Sequence, residues 1–161
     1  MGRLNELKVA WFFIKWLNKE NGTGFNIQDG EDENSEIDVR AVSDKGEELN
    51  LQIRTSAHDV LKTGPQNTKR FKKGLPIIVG DVDYPRWILE AIEEKENKYP
   101  VSLKKETTLL LGGCLPTPEP RIVERISIPP SKFKNIYYVS LPSSSFPIRK
   151  EVEEGYVICM K

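Results

Sequence analysis

Two runs of strict alternation separated by a glycine turn constrain this chain more than any other feature. In residues 36 to 42, Ile37, Val39 and Ala41 alternate with Glu36, Asp38 and Arg40; in residues 49 to 54, Leu49, Leu51 and Ile53 alternate with Asn50, Gln52 and Arg54. A period of two is that of a strand with one buried face. Between the runs, Asp44-Lys45-Gly46 suits a three-residue hairpin loop with glycine at the left-handed position. With Ser43 pairing with Glu47, the numbers of facing residues sum to 90, which sets Asp38 across from Gln52, Glu36 across from Arg54 and Arg40 across from Asn50. The polar residues then share one face of the hairpin.

Before the hairpin, residues 3 to 20 carry Leu4, Leu7, Ala10, Trp11, Ile14 and Leu17 at steps of three and four, the recurrence of one helix face. Val9, Phe12 and Trp16 form a second apolar row, so the middle of this helix is expected to be covered from two directions. Asn21-Gly22 ends it. At about 100° per residue, Glu6 falls at the border of the main stripe, beside Ala10, Phe13 and Leu17. Trp11, Trp16 and Trp87 read as core; were Trp16 exposed with Val9 and Phe12, that row would instead be a partner surface, and a homodimer the expectation.

Residues 25 to 28 form a weak strand, and the acidic stretch at 29 to 36 is a solvated loop without the spacing of a calcium loop. Beyond the hairpin, Gly64-Pro65 breaks any helix, and Lys69, Arg70, Lys72 and Lys73 form the most basic cluster, with Phe71 inside it. "LPIIVGDVD", at 75 to 83, is a continuous apolar run that reads as a buried strand, and a helix follows from Pro85 to about Asn97, with Glu94 placed to pair with Lys98. Residues 107 to 114, 135 to 141 and 155 to 160 read as later strands; the proline-rich segments around 116 to 130 and 141 to 150 are loops, and "RIVERISI" fits helix or strand.

At 161 residues the chain fits one domain, residues 1–161, with a mostly β C-terminal extension. Apolar residues at 38%, charged residues at 30% and a mean hydropathy of −0.48 describe a soluble globular chain. A formal net charge of zero means that any nucleic-acid site must be a local patch. The apolar run from Val9 to Leu17 is too short to span a membrane, and MGRLNE lacks the pattern of a signal peptide or myristoylation site, so a cytoplasmic protein with no membrane association is expected. Cys114 and Cys159 form no CxxC pair and read as buried thiols. His58 is the sole histidine and reads as a surface residue.

A helix carboxylate, a strand aspartate, a hairpin and a polar-x-basic tripeptide occur here in that order, as Glu6, Asp38 in "EIDV", and Gln52 and Arg54 in "LQIRT". Across its first half the chain thereby resembles the PD-(D/E)XK, or restriction-endonuclease-like, nuclease superfamily, with "IIVGD" matching the following core strand. The resemblance implies an α/β fold (α+β), with a central mixed sheet flanked by helices, and hydrolysis of phosphodiester bonds in nucleic acid, DNA being the expected partner. It implies Mg²⁺ or Mn²⁺ held by Asp38 and Gln52, Glu6 as an outer or water-mediated ligand, and Arg54 beside the attacked phosphate. Gln52 stands where the usual motif has an acid and Arg54 where it has lysine. A glutamine carbonyl ligates without adding charge, and an arginine holds a phosphate but does not accept a proton. The cluster Lys69, Arg70, Lys72 and Lys73 would contact the phosphate backbone, with Phe71 stacking on a base. The same residues also fit two other readings: an inactive nuclease-fold module binding nucleic acid or a protein, and a plain salt-bridged hairpin in which Arg54 pairs with Glu36.

Overall fold

Helix α1 (Gly2–Asn21) opens the chain and ends where Gly22 takes a φ of 63°, a left-handed value that glycine adopts without a Cβ clash. Asn18 then clips the helix to the next segment: its side-chain oxygen accepts from the Phe25 N–H at 2.9 Å and its amide donates to the Phe25 carbonyl at 3.0 Å. The computed structural model describes residues 2–28, 36–55, 73–74, 83–112, 118–142 and 154–161.

Three antiparallel strands follow, β1 (Asn26–Ile27), β2 (Val39–Val42) and β3 (Glu48–Thr55). Val39 pairs with Leu51, Arg40 with Asn50 and Ala41 with Leu49, so the sum-to-90 register holds through this ladder. The loop is also as expected, with Ser43 N–H donating to Glu47 O at 2.9 Å and Gly46 at a φ of 84°. Helix α2 (Tyr84–Lys98) starts with the Asp83 side chain accepting from the Arg86 N–H, and with proline in its first turn. A short helix α3 (Val101–Lys104) leads into β4 (Thr107–Gly112), and α4 (Pro120–Glu124) precedes β5 (Asn135–Ser140) and β6 (Tyr156–Cys159). "RIVERISI" therefore gives helix at its start and no strand.

All six strands join one mixed sheet in the order β1-β2-β3-β4-β5-β6, with β3, β4 and β5 parallel and β6 antiparallel to β5. The C-terminal β segments thus continue the central sheet. The strand expected at 75 to 83 lies outside the described residues apart from Asp83, which caps α2; the strand paired with β3 is β4.

Each face of the sheet carries its own core. On one face, Val9, Ala10, Phe13 and Ile14 of α1 pack on Val39, Ala41, Leu51, Ile53, Leu110 and Val139. On the other, Trp87, Ile88, Ala91 and Ile92 of α2 pack on Leu109, Leu111, Ile136 and Tyr138. A sheet covered on both faces by helices is why β4 is buried at every position and reads as a continuous apolar run.

Three expectations about burial are corrected. Trp11 is 64% exposed, because the side of α1 that meets the sheet is centred on Ala10 and Phe13 and leaves Trp11 facing outward. Val9 is fully buried and Phe12 and Trp16 pack against the same core, so that row is part of the sheet contact. Cys159 is exposed, since β6 ends the sheet; Cys114 lies outside the described residues. No described helix is long and apolar enough to cross a membrane.

Candidate functional site

The hairpin face sorts the expected residues. Gln52 and Arg54 pair in register with Leu109 and Leu111 of β4, and so lie on the face covered by α2. Leu51 and Ile53 point the other way, against α1.

Asp38 belongs to neither face in a simple way, because the ladder ends at Val39–Leu51. The Asp38 N–H donates to Leu51 O at 3.0 Å, so two residues of one strand face a single residue of the other, the geometry of a β-bulge. This displaces Asp38 from its expected place opposite Gln52 and Glu36 from its place opposite Arg54. The Ile53 N–H, which would have bonded the backbone of the neighbouring strand, instead donates to Asp38 Oδ2 at 2.7 Å. Since that N–H points along the sheet, the carboxylate sits between the two strands where they part.

Gln52 lies beside this seam and is fully buried. Its Nε2 donates to the Glu36 carbonyl at 2.7 Å, which ties down the chain just before the bulge. Its Oε1 is buried without a hydrogen-bond partner among the described residues. Leaving a buried amide oxygen unpaired costs about 1–3 kcal/mol. Such an orphan calls for an account of what it meets.

Arg54 does not pair with Glu36. Its guanidinium meets Glu94 of α2 at 3.2 Å, and its Nε is buried without a partner among the described residues. Glu94, expected to support Lys98 along the helix, thus reaches across to β3 instead. The pair is more than a third exposed at both ends and is worth roughly 1 kcal/mol or less.

Glu6 is half-buried on α1. The direction of the helix follows from its contacts with β5. Trp16 touches Tyr137, early in the strand, with ring centres 5.8 Å apart, whereas the Phe12 ring tip lies 2.9 Å from where a Cβ on Gly155 would stand, beside Ser140 and Pro142 at the strand's end. Helix α1 therefore runs antiparallel to β5, and hence to β3 and β4. Glu6, six residues before Phe12 and about 9 Å further along the axis, lies toward the end of the sheet where β3 finishes and Asp38 enters β2. The structure thus brings Asp38 and Gln52 to one seam and carries Glu6 to the same end from the α1 face, with Arg54 on the α2 face.

Lys69, Arg70, Lys72, Phe71 and His58 lie outside the described residues. Lys73 is exposed in a turn with Gly74. Sequence patterning missed the bulge and the Arg54–Glu94 contact. The first leaves no mark in an alternation that runs unbroken through Ile37, and the second joins residues 40 positions apart.

No protein-family model, no curated protein and no solved structure matches the chain.

Proposed function

We propose that this chain is a restriction-endonuclease-like, metal-dependent nuclease that hydrolyses phosphodiester bonds of nucleic acid, with DNA as the expected substrate. The observation that carries the reading is the buried Gln52 amide, held by the Glu36 carbonyl and with no partner for its Oε1 among the described residues, on the strand whose next residue, Ile53, donates to the Asp38 carboxylate. The coarse architecture supports it as well, since α1 and α2 lie on opposite faces of one mixed sheet, the helix-flanked sheet that the resemblance implies. A cytoplasmic setting goes with this proposal.

Among the described residues no three His, Cys, Asp or Glu side chains gather as a metal-holding group. A divalent ion would therefore draw its protein oxygens from Asp38 and Gln52, with Glu6 as an outer ligand through water. All three supply the hard oxygen donors that Mg²⁺ and Mn²⁺ prefer, and no described residue competes for the Gln52 Oε1. When bound, the ion would polarise a phosphoryl oxygen and lower the pKa of a coordinated water. Asp38 supplies the anionic anchor. The hydrogen bond from Nε2 to Glu36 O fixes which end of the Gln52 amide faces the seam. The Arg54 guanidinium would offset charge on the attacked phosphate, exchanging the exposed carboxylate of Glu94 for a phosphate oxygen.

A second reading has its own support: the Asp38–Ile53 and Arg54–Glu94 contacts give both side chains structural work, as an inactive module that binds nucleic acid or a protein would require. Incubating single-stranded and plasmid DNA with the protein in Mg²⁺, Mn²⁺ or EDTA separates the two. The nuclease reading expects cleavage with either metal and none in EDTA. Folded protein that leaves both substrates intact in every buffer would favour the inactive module.

A further inference from the structure

The chain carries no net charge, yet one stripe along the outer surface of α1 carries only positive charge. Val9, Ala10, Phe13 and Ile14 fix the buried side of the helix. At about 100° per residue, Lys8, Trp11, Lys15 and Lys19 fall within roughly 80° of one another on the opposite side. All four are exposed. The two glutamates of the helix, half-buried Glu6 and exposed Glu20 at its C-terminal end, project to the other side of the helix axis and lie outside this stripe. None of the three lysines takes part in an ion pair among the described residues.

The indole, left 64% in water, stands on one stripe with three ammonium groups that form no ion pair among the described residues. The combination matches what a single-stranded nucleic acid offers: phosphates for the lysines and a base for the ring to stack on. A membrane surface fits less well. An interfacial helix buries a broad apolar face in lipid, and the apolar face of α1 is already occupied by the sheet.

We infer that the outer face of α1 binds single-stranded nucleic acid, with Trp11 stacking on a base and Lys8, Lys15 and Lys19 neutralising phosphates. This inference deepens the nuclease proposal, and rests on its reading of nucleic acid as the substrate. The stripe runs along the helix whose Glu6 end lies toward the end of the sheet where Asp38 enters β2, so a bound strand would run toward that end.

The test is fluorescence anisotropy of a labelled oligothymidylate with the full chain in EDTA, where cleavage does not intrude. Trp11→Ala is expected to weaken binding roughly 5- to 150-fold, the range for loss of one stacked base, and Trp11→Phe to keep most of the affinity. The triple variant Lys8→Gln, Lys15→Gln, Lys19→Gln should lower the slope of log affinity against log salt by about 2. Because all four side chains are exposed, unchanged melting temperatures should accompany these losses. Equal affinity in wild type and Trp11→Ala, or Trp11-dependent capture by phosphatidylserine vesicles without oligonucleotide binding, would overturn the inference. A chain that binds through Trp11 yet never cleaves keeps this surface and sinks the nuclease; one that cleaves while Trp11→Ala binds undiminished does the reverse.

Discussion

Asp38→Asn is expected to reduce metal-dependent DNA cleavage by about a hundredfold or more, the scale on which removal of one electrostatic catalytic group is felt. The substitution is chosen because the Asp38 carboxylate has two tasks. It accepts the Ile53 N–H at 2.7 Å, holding the bulge, and in the proposed mechanism it is the anionic anchor for the ion. Asparagine keeps a carbonyl oxygen for the first task and lacks the charge for the second. The structural cost should be limited to the difference between a charge-assisted and a neutral hydrogen bond, about 1 kcal/mol. Thermal melts and cleavage rates on the same preparations separate the two effects. A large fall in stability with proportionate loss of activity would mean that Asp38 acts only as a strap.

Glu96→Ala is expected to destabilise the protein by about 3–5 kcal/mol, the cost of breaking a buried ion pair from one side. Lys104 is almost wholly buried, and its ammonium donates to the Glu96 backbone oxygen at 2.7 Å and to the Glu96 carboxylate at 3.1 Å. The other carboxylate oxygen accepts from the Ser131 hydroxyl and from the Lys132 N–H at 3.1 Å. Together these contacts tie α2, α3 and the approach to β5 into one unit, and α2 is the helix that presents Glu94 to Arg54. Alanine would strand the ammonium with the backbone oxygen alone. Replacing both charges, as Glu96→Leu with Lys104→Met, should recover much of the loss, and urea denaturation of the three proteins measures it.

The same carboxylate sets a pH dependence. Burial acts to raise its pKa, but the Ser131 hydroxyl, the Lys104 ammonium and the Lys132 N–H outweigh that and hold it below the ordinary value of 4.5. A carboxyl depressed in the folded state stabilises above its unfolded pKa and loses that contribution as pH falls through the folded one. Denaturation curves should therefore show the Glu96 contribution intact at neutral pH and declining below about pH 4.5. The decline should be absent from the double variant.

Much of the fold was legible because its signals are local. The hairpin register follows from alternation and one glycine, and β4 from an apolar run that only a sheet covered on both faces can bury. The orientation of α1 was less legible, since apolar residues surround most of the helix and a period of three to four does not say which of two adjoining rows meets the sheet. The pattern places Trp11 in the core for that reason, whereas it is exposed. Cys159 looked like a core thiol because its strand is apolar, and only the sheet order reveals it at an edge.

The candidate site was legible as residue types and less so as geometry. Asp38 does not face Gln52: a bulge swaps a backbone acceptor for the Asp38 carboxylate at Ile53, while Gln52 bonds the Glu36 carbonyl, and no alternation pattern encodes this. Arg54 has its charged neighbour on α2, because the crossover between β3 and β4 lays that helix over the face Arg54 occupies. A hairpin considered alone offers it only Glu36.

The central claim is that the Asp38 carboxylate and the Gln52 amide oxygen share a divalent ion. Calorimetric titration of Mn²⁺ into wild type, Asp38→Asn and Gln52→Leu tests it without substrate. One saturable site is predicted in the wild type, lost in Asp38→Asn and weakened in Gln52→Leu. A wild type that takes up no Mn²⁺, or an Asp38→Asn variant that binds it undiminished, would contradict the account.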